Sequence, residues 1–175
     1  WKLDVRSVEV APFAFGQPLP DFTAMGEGRF DADASFNAIH ATGRLNGTAD
    51  RLAVVASQLG GIETLKYAAE FDVARRGAMV TVETLMAEIS AAQPVARVRD
   101  LQKFEFNPAT AELKAADPAG DLVAISLLGV PMTWAKPFLK DIAVSGGELR
   151  GELVATPRDG GVAVRSTASV GISTF

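Results

Sequence analysis

A period of two runs through most of this chain and decides what it can become. Trp1, Leu3 and Val5 alternate with Lys2, Asp4 and Arg6. Phe30, Ala32, Ala34 and Phe36 alternate with Arg29, Asp31, Asp33 and Ser35, and the pattern returns at Leu52, Val54 and Ala56, at Tyr67, Ala69, Phe71 and Val73, and at Val80, Val82 and Leu85. Successive side chains of a β-strand point to opposite sides, so this alternation builds sheet with one apolar and one charged face. Gly, Asn and Pro fall between the runs at all-β spacing. Strands are expected over residues 25–36, 39–45, 52–57, 62–73, 101–106, 142–155 and 162–167, with turns at Asn46-Gly47, Gly60-Gly61 and Arg75-Arg76-Gly77. A slip of register before Val8 and Val10 reads as a bulge.

One region breaks the period. Asp117-Pro118 has the form of a helix start, an N-cap acid followed by proline at the first helical position. Leu122, Ile125 and Leu128 then share a helical face, with Gly129 as the stop. Residues 131–139, PMTWAKPFL, read as a second short helix or turn carrying Trp134, Phe138 and Leu139 as a hinge or plug. The expectation is a single β-rich unit: a lead-in over 1–20, a strand-rich part over 21–116, a helical and proline-broken hinge over 117–140, and a second strand-rich part over 141–175.

The stretch VSGGELRGEL adds a puzzle. Leu149 and Leu153 fall on the apolar side, and so do Gly147 and Gly151, where a packed strand would place bulk. Gly43 and Gly47 stand in the same relation to Leu45. Glycines there let a sheet bend and leave a furrow beside the leucines.

Chemistry has little to work with. The chain has 175 residues, no cysteine and a single histidine, His40, which alternates to the polar side of a strand. No Gly-x-Ser-x-Gly elbow, dinucleotide loop or metal-ligand spacing occurs, so neither an enzyme nor a cofactor is expected. A net charge of −4 argues against nucleic acid, whose binding needs clustered Lys and Arg. Hydrophobic residues make up 48% of the chain, yet no apolar run is long enough to span a bilayer. The chain opens at Trp1 and stops at Phe175 in mid-alternation, and is expected to be a segment of a longer protein.

The order of long alternating strands, then GDLVAISLLGVPMTWAKPFLKD, then IAVSGGELRGEL and RDGGVAVRS, resembles repeats of the AsmA-like envelope proteins, the superfamily of TamB and YdbH. The likeness is strongest over the last third and looser over residues 24–89. It implies a long twisted antiparallel sheet curled into an open apolar groove, with one or two short helices near residues 117–139. It also implies a periplasmic, membrane-anchored protein of a diderm bacterium, with the anchor outside this segment, that carries phospholipid between inner and outer membranes. Such proteins have no catalytic residues to carry over. The groove would be lined by Phe30, Phe36, Leu45, Leu52, Val54, Phe71, Leu149 and Leu153, and shaped by Gly43, Gly47, Gly147 and Gly151. The strand pattern alone fits equally a closed β-sandwich, or a repeat scaffold or adhesin module with no ligand.

Overall fold

The computed structural model describes residues 1–10, 19–54, 57–62, 64–110, 112–135, 146–158 and 161–173. Alternation does what it must: the chain forms one antiparallel sheet of twelve strands that does not close on itself. The strands are β1 (Lys2–Arg6), β2 (Asp21–Ala32), β3 (Ala38–Asp50), β4 (Thr64–Arg76), β5 (Met79–Ser90), β6 (Pro94–Asp100), β7 (Phe104–Phe106), β8 (Leu113–Ala115), β9 (Val123–Pro131), β10 (Glu148–Arg158), β11 (Gly161–Ser166) and β12 (Gly171–Ser173). Spatial order follows sequence from β1 to β6, then passes to β9, β10 and β11. The hairpin of β7 and β8 leaves this path and pairs along the outer half of β5, while β12 pairs with β10. Among the described residues there are two four-residue α-helices, α1 (Ser7–Val10) and α2 (Met132–Ala135).

Strand contacts are those of ladder neighbours, apart from a touch between β8 and β10. All twelve described strands belong to this one sheet. The buried apolar set is correspondingly small: Ala24, Ile62, Val82, Val95, Leu122, Ala124, Met132 and Val154. Most of it belongs to β6, β9, β10 and their connections. At one end of the sheet, α2 meets the 3-10 turn Ser57–Gly61 beside Ile62 and closes over strand ends.

Several local expectations change. Residues 117–129 are not a helix. Asp117 instead closes a turn, its carboxylate accepting from Ala119 N at 3.0 Å and its carbonyl from Gly120 N at 3.1 Å, and β9 follows. That strand is flanked by β6 and β10, and a central strand reads as a continuous apolar run without alternation. Among the described residues of the expected helical stretch only α2 is helical, and residues 136–140 lie outside the described residues. Asn46-Gly47 is no turn, since β3 runs straight through it to Asp50. Residues 52–54 form a 3-10 turn rather than a strand, entered at Arg51 with φ 53° and held by the Arg51 guanidinium on Asp21 Oδ1 at 2.5 Å. The slip before Val8 is the helical turn α1. Phe36 lies beyond β2, in the hairpin to β3, with φ 56°. Asp33 organises that hairpin by accepting from Asn37 N at 2.8 Å.

Candidate functional site

Register converts alternation into a surface. Residues paired across neighbouring strands share a face. Leu3, Gly26, Leu45, Ala69, Ala87, Val98, Ile125 and Leu153 therefore form one row across β1, β2, β3, β4, β5, β6, β9 and β10. Beside it runs Val5, Ala24, Gly47, Tyr67, Ile89, Ala96, Leu127 and Gly151. On the other flank lie Gly28, Gly43, Phe71 and Leu85, and beyond them Phe30, Ala41, Val73, Val82 and Phe104. At about 4.8 Å per strand, the first row extends for roughly 34 Å.

The sites expected from sequence divide accordingly. Leu45 and Leu153 share the first row, Phe71 and Phe30 share the face, and Leu149 joins it past a bulge, paired with Val130 and Ile172. Phe36, Leu52 and Val54 do not belong to it, being in turns rather than ladders. Trp134 is half-buried in α2, and Phe138 and Leu139 lie outside the described residues.

The glycines are where the sequence placed three of them, but the space above them is filled. The Trp1 indole lies flat over β2 and β3, stacked on Phe71 at 6.3 Å with its Nε1 donating to Arg29 O at 3.1 Å. A Cβ on Gly43 would sit 2.5 Å from that ring, and one on Gly26 3.1 Å from it. Tyr67 lies across Gly47 in the same way and donates its hydroxyl to Thr23 O at 2.8 Å. Burial pushes the Tyr67 phenol up, which keeps the donating proton in place. Over Gly151 sits Val170, 3.0 Å from where a Cβ would be. Gly147 precedes β10 with φ 103° and accepts from Met132 N, tying α2 to the strand. The furrows expected beside Leu45 and Leu153 are thus occupied by the protein's own side chains, aromatic rings compensating for glycine bulk.

Over β1 to β6 the opposite face is charged and internally paired, whereas across β9 and β10 it carries the buried pair Ala124 and Val154. Lys2, Glu27, Arg44 and Glu70 alternate in sign along one row of β1 to β4. Arg44 bonds Glu27 at 3.2 Å, and His40 Nε2 meets Asp72 Oδ1 at 2.7 Å. Arg97 Nε donates to Glu88 at 2.6 Å and holds that carboxyl below its usual range. Depressions of about 860 Å³ and 600 Å³ open on this side, one framed by Glu27, Arg29, Arg44 and Asp72, the other by Arg44, Glu70, Glu88 and Arg97 around Ala68. Long charged side chains standing around small residues give them their depth.

Sequence reasoning put Trp1 on the apolar side of the first strand without foreseeing that its ring covers Gly26 and Gly43, and it missed Val98, Ile125 and Leu127 as members of the apolar face. Alternation in β1 offered a signal for Trp1, whereas Ile125 and Leu127 lie in a run that carries none. Among the described residues no group of His, Asp and Glu is placed to hold a metal, and no helix is long and apolar enough to cross a membrane. No protein-family model matches the chain, and neither a curated protein nor a solved structure matches it.

Proposed function

We propose that the apolar face receives lipid acyl chains, and that the chain serves in carrying phospholipid through the envelope of a diderm bacterium, in the manner of the AsmA-like proteins it resembles. The observation that carries this reading is the row from Leu3 to Leu153: eight neighbouring strands of a single sheet present an apolar residue or glycine at one register. Hydrocarbon is the chemistry such a surface accepts. Each methylene removed from water contributes about 0.8 kcal/mol, so a chain of roughly 15 carbons gains on the order of 10 kcal/mol at full burial. An open face covers only one side of the chain, which lowers that figure and repeats a similar contact from strand to strand. Similar contacts at successive positions favour sliding over fixed binding. In this reading the charged face is turned to the periplasm.

The test is native mass spectrometry of the protein taken from bacterial envelopes in mild detergent. Phospholipid bound to wild type and lost in the double variant Leu45→Glu, Leu153→Glu is the expected result. Lipid-free wild type, or equal lipid in both, overturns it.

A further inference from the structure

We propose that the same face is an interface with a second copy of this chain, two sheets packing apolar face to apolar face about a two-fold axis when no lipid occupies it. The surface area argues for it first. A folded monomer of 18.4 kDa exposes about 8,200 Å², whereas this chain exposes 11148 Å². The excess is roughly 3,000 Å² per chain, or roughly 6,000 Å² over two copies, more than the about 2,000 to 5,000 Å² in total that obligate homodimers remove, so burying one face on each copy accounts for part of it.

The apolar face holds a share of that area. From β1 to β11 it spans eight strand steps of about 4.8 Å, and a nine-residue strand such as β9 is about 30 Å long, giving a footprint of roughly 1,100 Å². That exceeds the roughly 300 to 600 Å² of the largest apolar patch on a typical monomer, and the roughly 800 Å² per partner of a standard interface. Phe30, Ile172 and Val164 stand 51%, 53% and 61% exposed on it, far apart along the face.

The chemistry suits a self-complementary contact. Two charged residues occupy apolar-face positions in the ladders, Arg75 and Asp100. Both are engaged with backbone, Arg75 Nε donating to Gly77 O at 2.8 Å and Asp100 Oδ1 accepting from Leu85 N at 2.7 Å. Both keep their charge, so in a contact between two copies they must lie at its wet rim and not at its dry centre. Two sheets packed this way form a sandwich with a spacing of about 10 Å, the solution that one-sided sheets ordinarily reach within a single chain. The proposal shares its face with the lipid reading, yet dimerisation stands whether or not lipid binds.

The test is sedimentation of this chain after delipidation. The expected result is a species of twice 18.4 kDa at micromolar concentration. A monodisperse monomer at about 100 μM, or open-ended aggregation, overturns the proposal. Because the chain has no cysteine, single cysteines report the face without disturbing it. Ala87→Cys, in the central strand of the row, should be captured as a dimer by a short bis-maleimide, and Met86→Cys on the opposite face should not. Equal capture at both positions overturns the face-to-face arrangement. Added phospholipid should return the dimer to monomer. A lipid-free dimer that binds no lipid retains the interface and ends the lipid reading; lipid binding with no lipid-free dimer does the reverse.

Discussion

Replacing Gly47 with alanine should cost about 3 kcal/mol of folding stability, the upper part of the range for forcing extra bulk into a packed site. A Cβ at that position would stand 1.9 Å from Thr23 O and 2.6 Å from the Tyr67 hydroxyl. The phenol can swing away, but the carbonyl belongs to the paired strand and moves only if the ladder opens. Relief therefore requires separating β2 from β3, which are joined by an unbroken register of twelve residue pairs. Gly171→Ala is the control, since a Cβ there meets nothing within 4 Å. Urea unfolding of the two variants should show a large drop in midpoint for the first and a change within about 0.5 kcal/mol for the second. Equal midpoints would mean that Tyr67 and Thr23 do not close over Gly47 as described.

Leu122→Ala should produce a loss of similar size, about 3 kcal/mol, for a different reason. Leu122 is 2% exposed, and its backbone joins two parts of the sheet, donating to Ala155 O at 2.7 Å and accepting from Leu101 N at 2.8 Å. Truncation leaves a cavity that this fixed backbone cannot collapse. Leu45→Ala makes the informative comparison. Leu45 is only half-buried, and loses about 1 kcal/mol on truncation because half its surface already faces outward. For a domain of this size the two variants differ in melting temperature by several degrees, on the scale of about 2 to 4 °C per kcal/mol. The reverse order would place the core on the apolar face and remove the case for an occupant there.

The contrast between these two leucines also shows what the sequence made legible. β2, β3, β4 and β5 are half-buried strands, and alternation marks such strands because one face meets solvent. Leu45, Phe71 and Leu153 were readable for that reason. β6 escaped because Val95 is the extra residue of a bulge against Ile89 and Ser90, which sets Val95 and Val98 three apart and hides the period. β9 escaped because both its neighbours are strands, and because the turn at Asp117-Pro118 uses the same residues that start helices. Leu52 and Val54 mimic alternation across a 3-10 turn too short to test it. The filling of the glycines lay beyond reach for another reason. Which ring covers which glycine depends on strand register, and register is settled between segments distant in sequence, Trp1 with Gly28 and Tyr67 with Gly47.

If hydrocarbon lies along one face of this sheet and not the other, lipid contact must be one-sided. Photo-crosslinking side chains at Leu45 and Leu153, and at Glu70 and Glu152 on the charged side, measure this directly in cells. The account predicts phospholipid adducts at the two leucine positions and none at the glutamates. Equal adducts on both faces, or adducts on neither, would contradict it.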